Sequence, residues 1–337
     1  MSARCSRIAG VGKYVPPRVV TNDDLAGMME TSDEWIRQRT GIETRHWVEG
    51  TTTTSDLALE ASRQALDDAG VGPDDLDMIV FATLSPDHEF PGTGCFLQQK
   101  LDCPGIPALD IRQACTGFLY GLAIADQFIR TGAKERVLVV GSEVQSKSLD
   151  KTTRGRDIAV LFGDGAGAVV VEATDVLGHE DAQIYSTHLH ADGRHARELW
   201  MDAPTQTTEG PRITHEMIDE GRHFPYMNGK FVFVHASKRM PESVLEACEA
   251  NAMSVDDVDL FLFHQANLRI NQQVAKNLGV SEDRVFNTIQ KYGNTTAATI
   301  PIGMRDAIDA GVLEPGMVVA MSAFGSGFTW GSALLRM

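Results

Sequence analysis

The sequence predicts an α/β protein built from one helix–strand unit used twice. Two internal likenesses carry this reading. Residues 61–82, ASRQALDDAGVGPDDLDMIVFA, and residues 243–264, SVLEACEANAMSVDDVDLFLFH, share an amphipathic helix, a short acidic loop and a buried strand. Their loops, Asp74-Asp75-Leu76-Asp77 and Asp256-Asp257-Val258-Asp259, lie 256 − 74 = 182 residues apart. Downstream, TGFLYGLAIADQFIRTGA leading into VLVVG is matched by NTTAATIPIGMRDAIDAGV leading into MVVAMSAFG. Val137 and Met317 open those strands, at 317 − 137 = 180. Self-similarity of this kind decides architecture before any single motif does.

The elements follow in order. MIVFA (78–82) is a short β-rich apolar run, the mark of a strand buried on both faces and covered by helices. Cys115 opens a helical pattern that ends near a glycine before VLVVG, as C-capping chemistry expects. FGDGAGA (162–168) lacks the Lys-Ser/Thr of a P-loop. It fits G-x-G-x-x-G/A but reads as strand into strand, so a tight hairpin is expected. The boundary between halves is placed after it, giving 1–175 and 176–337. Residues 190–230 are polar and irregular and read as an excursion capping one end of the fold. LFLFH (260–264), the helix after Asn294 and MVVAMSAFG then repeat the first half.

Composition narrows the function classes. Of 337 residues, 43% are hydrophobic, enough for a sizeable core, and 23% are charged, an ordinary globular share. No apolar run approaches the ~18 residues of a membrane span. The opening MSARCSRIAGVGKYVPP has no run of signal-peptide length, so a cytoplasmic protein is expected. Five cysteines (Cys5, Cys95, Cys103, Cys115 and Cys248) are an odd number without C-x-x-C, which argues against a disulfide framework and a zinc site. His190 and His195 are the one histidine pair with any suggestive spacing, and no metal is expected there. A net charge of −16 disfavours nucleic acid as a partner.

Three residues stand out chemically. Cys115, at the start of a helix, is exposed to the positive end of the helix dipole and to unpaired N–H groups. Both favour a thiolate, and the same N–H groups suit an oxyanion on an attached thioester. The other four cysteines read as small buried hydrophobes. His264 closes a strand, and strand ends and helix starts are where α/β folds place chemistry. Asn294, before Thr295-Thr296, reads alone as a helix N-cap. The repeat sets it near the place equivalent to Cys115, so a pseudo-twofold packing would bring the two helix starts together. In SAFGSGFTWG (322–331), Gly325, Ser326 and Gly327 either turn the chain or offer N–H groups to that centre.

Taken together, TNDDLAGMMETSDEWIRQRTGIETRH, LSPDHEFPGTGC, DIRQACTGFLYGL, LFGDGAGAVVV, HQANLRI, GNTTAATIP and FGSGFTWGSALLR resemble, in order and over almost the whole chain, the β-ketoacyl-acyl carrier protein synthase III family. The resemblance implies a thiolase-like five-layered αβαβα fold of two similar halves, and a homodimer. It implies Cys115 as nucleophile, His264 and Asn294 as the decarboxylation pair, and the N–H groups of Cys115 and Ser326 as the oxyanion hole. It implies acyl-CoA binding by Trp35, Arg39, Arg154, Gly229, Phe233, Ala266 and Asn267, with Phe90 reaching the neighbouring subunit's acyl pocket. Arg269 and Lys276 fall where the family docks its acidic acyl carrier protein, which needs only a local basic patch. No cofactor or metal is implied.

Some residues depart from the family pattern. Ser326 stands where glycine is common, and its side chain is expected to narrow the centre. Lys230, Arg112, Gln113 and the RGRD stretch 154–157 also differ. The expected activity is condensation of an acyl-CoA primer with malonyl-carrier protein to start fatty-acid synthesis. The alternative is a specialised condensing or acyl-transfer enzyme of secondary metabolism that takes an unusual acyl-CoA. A non-catalytic ketosynthase partner is opposed by the presence of all three residues. A Cys–His–Asn hydrolase is opposed by chain order and motifs.

Overall fold

The computed structural model describes residues 3–176 and 178–337. The chain runs β1 (Ala3–Tyr14), β2 (Val19–Thr21), α1 (Asn22–Ala26), α2 (Asp33–Thr40), β3 (Thr44–His46), α3 (Thr54–Ala69), β4 (Met78–Ala82), α4 (Thr93–Leu101), β5 (Ala108–Ile111), α5 (Gly117–Arg130), β6 (Arg136–Glu143), α6 (Arg156–Ala159) and β7 (Gly165–Val176). It continues through β8 (Gln183–Ala191), β9 (Leu199–Met201), α7 (His215–Asp219), β10 (Pro225–Met227), α8 (Gly229–Ala250), β11 (Leu260–Phe263), α9 (Leu268–Leu278), α10 (Ile289–Tyr292), α11 (Thr299–Asp309), β12 (Val318–Gly325) and β13 (Thr329–Arg336).

Two large sheets form, in the orders β1-β7-β6-β4-β5 and β11-β12-β13-β8, beside the two-stranded pairs β2-β3 and β9-β10. In the first, β4 is parallel to β5 and β6, while β7 is antiparallel to β1 and β6. In the second, β11 is parallel to β12, and β13 is antiparallel to both its neighbours. One core joins Phe118, Leu119 and Leu122 of α5 and Ile300 and Met304 of α11 to Val80 and Val139 of one sheet and Leu262 and Val319 of the other. Leu57, Ala61 and Leu97 of α3 and α4 cover the outer face of the first sheet. Met240, Val244 and Val274 of α8 and α9 cover that of the second. The layers are therefore αβαβα, with α5 and α11 in the middle.

The local signals explain several boundaries. Thr53 and Asp56 form a capping box at the start of α3, and Gly70 ends it in the left-handed region at φ 67°. Each acidic loop is a 3-10 turn, in which Asp75 accepts from the Gly72 N–H and Asp257 from the Ser254 N–H. The two turns, Pro73–Asp75 and Val255–Asp257, are 182 residues apart, and so are the starts of α5 and α11 and of β6 and β12. The strands open at Arg136 and Val318 rather than at Val137 and Met317, so their offset is 318 − 136 = 182 instead of 180.

Three expectations need correction. Cys95, read as a small buried hydrophobe, is exposed on α4, whereas Cys5, Cys103 and Cys248 are buried. The glycine-rich stretch 162–168 is no hairpin, because α6 and an isolated bridge from Phe162 to Asn294 precede β7. It marks a close crossing: a Cβ on Gly163 would sit 2.2 Å from the Tyr292 carbonyl oxygen. The excursion is also narrower than 190–230, since β8 runs to Ala191 and α8 opens at Gly229, capped by Asn228. Within it, β9 and β10 pair antiparallel. No helix among the described residues is long and apolar enough to cross a membrane.

Candidate active site

Cys115 lies in a 3-10 turn, Ala114–Thr116, that leads directly into α5. The matching turn, Thr296–Ala298, leads into α11. Ala114 and Thr296 hold φ of 49° and 52° in the left-handed region, again 296 − 114 = 182 apart. Non-glycine residues there are strained by about 1–3 kcal/mol, and such strain collects at functional sites. The residue equivalent to Cys115 is therefore Ala297, with Asn294 three positions earlier. The two turns pack against each other, and the end of β12 packs against the first of them. A Cβ on Gly325 would stand 2.9 Å from the Cys115 Cβ and 3.0 Å from its N.

One cavity of about 680 Å³ brings Cys115, His264 and Asn294 together. Burial pushes the Cys115 thiol up to about 12, with the nearby Glu143 adding to the rise and the local backbone N–H opposing it. The expectation of a depressed thiol pKa thus fails in this state. Desolvation outweighs the backbone N–H at the helix start.

His264 follows β11, with its N–H donating to the Ser322 carbonyl at 2.9 Å. Burial lowers its pKa to about 3, so the ring is neutral near pH 7. Its Nδ1 lies 2.7 Å from Thr299 Oγ1, while Nε2 is buried without a protein partner. Asn294 is fixed by its N–H to the Leu161 carbonyl at 2.8 Å. Its Oδ1 accepts the Thr296 N–H at 2.8 Å, which leaves the Nδ2 amide as a donor. A neutral imidazole and an amide N–H together suit an oxygen that gains negative charge.

The remaining predicted residues divide. Trp35, Arg39, Gly229, Lys230, Phe233, Ala266, Asn267 and Arg269 line the same cavity. Arg39 stacks over Trp35 at 4.4 Å, and Arg156 lies over the same ring at 5.1 Å. Asn267 Nδ2 donates to the Arg39 carbonyl at 3.0 Å, tying α2 to the start of α9. Arg154 instead lines an adjoining recess, paired with Asp150 at 2.6 Å and lying over Phe224 at 5.7 Å. Lys276 and Arg269 share a third, more open recess. Phe90 is 84% exposed and does not line the cavity.

The Ser326 hydroxyl donates to the Leu199 carbonyl. This bond ties the turn after β12 to β9, so the hydroxyl is engaged with the excursion rather than left free at the centre. His190 pairs with Glu246 at 2.6 Å, whereas His195 sits among Phe231, His235 and Phe328. Among the described residues no group of three His, Cys, Asp or Glu is arranged to hold a metal ion.

Sequence reasoning missed Glu143 and Thr299. Glu143 is fully buried at the end of β6, accepting from the Leu84 and Ser85 N–H groups, Ser85 Oγ and Gln145 Nε2. A carboxylate directly after the apolar run VLVVGS was the available signal. Thr299 carried none, because a threonine at a helix start is ordinary.

The five-layered αβαβα fold, with a cysteine at the mouth of a central helix, places the chain among thiolase-like condensing enzymes. A profile described as 3-Oxoacyl-[acyl-carrier-protein (ACP)] synthase III matches residues 109–193, and its C-terminal counterpart matches residues 248–337. The beta-ketoacyl-[acyl-carrier-protein] synthase III of Methylococcus capsulatus is 47% identical over 334 residues, 99% of each chain. That of Rhodospirillum rubrum is 46% identical over 334 residues, 98% of this chain and 99% of the other. The crystal structure of 3-oxoacyl-[acyl-carrier-protein] synthase III from Aquifex aeolicus is similar at a TM-score of 0.89 and 39% identity, covering 98% of this chain and 100% of that one. The chain belongs to the 3-oxoacyl-[acyl-carrier-protein] synthase III family.

Proposed function

We propose that this protein joins an acyl-CoA primer to malonyl-acyl carrier protein by decarboxylative Claisen condensation, initiating fatty-acid synthesis. The observation that carries the reading is the convergence of Cys115, His264 and Asn294 on one cavity in a member of this family. Cys115 sulfur attacks the acyl-CoA carbonyl, and the C–S bond to CoA breaks. The proton lost by the thiol is taken up by the departing CoA thiolate. The N–H groups of Cys115 and Ser326 receive the oxyanion. Malonyl thioester then loses CO₂, and its electron pair moves onto the thioester oxygen. His264 and Asn294 donate to that oxygen. The enolate carbon attacks the acyl-Cys115 carbonyl, and the Cys115 sulfur leaves as a thiolate that a proton from solvent returns to the thiol. These steps draw on a thiol and four N–H donors, so they need no metal or redox cofactor.

In this reading Trp35, Arg39, Gly229, Phe233, Ala266 and Asn267 hold the CoA and pantetheine arm, and Arg154 receives its charged end from the adjoining recess. Arg269 and Lys276 meet the carrier protein, and Phe90 completes a partner's acyl pocket in a homodimer working in the cytoplasm. The halves are 1–175 and 176–337.

The test is intact-protein mass spectrometry with acyl-CoAs from acetyl through branched short chains to long and aromatic groups. An adduct from acetyl or short branched CoA, absent in Cys115→Ala, is expected. His264→Ala should acylate yet form no ketoacyl product. Acylation of Cys115→Ala at the full rate would remove the nucleophile assignment. Labelling by long or aromatic acyl groups alone would favour the specialised alternative.

A further inference from the structure

The repeat isolates one pair of residues. His264 is equivalent to Ala82, at 264 − 82 = 182, and Thr299 to Gly117, at 299 − 117 = 182. In the first half these positions touch closely: a Cβ on Gly117 would lie 2.9 Å from the Ala82 Cβ. In the second half the same contact holds an imidazole and a hydroxyl, with His264 Nδ1 2.7 Å from Thr299 Oγ1. The hydroxyl is present where the histidine is, and both are buried.

The direction of that hydrogen bond fixes the ring. The Thr299 hydroxyl has a second acceptor, the Thr296 carbonyl at 3.1 Å. That carbonyl already accepts the Thr299 backbone N–H. The hydroxyl has one proton to give, and we assign it to the shorter of its two contacts, the one to Nδ1 at 2.7 Å. An Nδ1 that accepts puts the ring proton on Nε2, and Nε2 is the nitrogen without a protein partner. We propose that Thr299 is a positioning residue: its hydroxyl donates to His264 Nδ1 and holds the imidazole as the Nε2–H tautomer, so that two N–H donors, His264 Nε2 and Asn294 Nδ2, serve the same enolate oxygen. With the proton on Nδ1 instead, Nε2 would present a lone pair and repel that oxygen. This proposal rests on the condensation reading above.

The test uses the full-length protein with ¹⁵N-labelled histidine, His264 being assigned by comparison with His264→Ala. Wild type and Thr299→Ser should show a protonated Nε2 and a bare, hydrogen-bonded Nδ1. A protonated Nδ1 in the wild type overturns the proposal, whatever the variants do. Thr299→Val keeps the β-branched shape and removes the hydroxyl. It should still take an acyl group onto Cys115, which reports a folded site. Its malonyl decarboxylation and condensation should fall by roughly 10–100-fold, the range known for partners that orient metal-bound histidines, taken here by analogy. Thr299→Ser should restore both. Condensation by Thr299→Val at the wild-type rate, with His264→Ala inactive, removes the role of Thr299 alone. Condensation by His264→Ala removes the reading beneath it.

Discussion

Glu143 shows what burial does to a single carboxyl group. Burial raises its pKa from 4.5 to about 7 against the hydrogen bonds from Ser85, Leu84 and Thr83 that favour the charged form. Between those values the folded chain holds a proton that the unfolded chain has released. The stabilisation is complete below about pH 4.5 and is lost as pH rises through 7. Denaturant midpoints of the wild type should therefore fall relative to Glu143→Gln over that window. Parallel curves for the two proteins would refute this assignment. His264 behaves in the opposite sense. Its folded pKa of about 3 lies below the ordinary 6.5, so its contribution is present above 6.5 and lost as pH falls toward 3. It brings no titration of its own to the rate between about pH 7 and 8.

At the scale of elements, the site is a meeting of strand ends and tight turns. The end of β12 reaches Cys115 so closely that only glycine fits at position 325. Gly325→Ala should displace either the Cys115 turn or the Ser326 N–H. We expect acyl transfer to fall by more than about 10-fold while the fold loses roughly 1–3 kcal/mol, the range for overpacking. Acylation kinetics and a urea titration measured on one preparation check both. The excursion is held to the same strand end through Ser326 and Leu199. Leu199 and Met227, from β9 and β10, line the cavity, so the polar insertion forms part of its wall.

For the whole molecule, the central layer is what makes two sheets one body. Phe118 of α5 is fully buried in the core that both sheets share. Phe118→Ala should cost about 3–5 kcal/mol. Hydrogen exchange should then speed up in β4 and β6 and also in β12 and β13. Loss of protection confined to the first sheet would show that the halves open independently. One polar link from α5 reaches the second sheet, anchored by an ion pair within the helix. Arg130 of α5 pairs with buried Asp126 at 2.7 Å and donates to the Ile184 carbonyl of β8.

The duplication, the buried strands and the helix that follows Cys115 were legible in the sequence, because hydrophobic period, capping residues and acidic turns are local properties of a chain, whereas Asn294 was read as a helix start and lies five residues before α11. The same local logic misread the glycine stretch 162–168, whose small residues answer to the Tyr292 carbonyl lying against them rather than to a turn. The thiol was misjudged for a related reason. A helix start is visible in sequence, but burial and the approach of Glu143 are not. Whether Arg154 or Trp35 lines the main cavity depended on how loops from distant segments close over it. Sequence by itself determined which elements form and which residue types can carry the chemistry. Tertiary structure alone decided which of them share one desolvated space, because desolvation and hydrogen-bond direction are set by neighbours far apart in the chain.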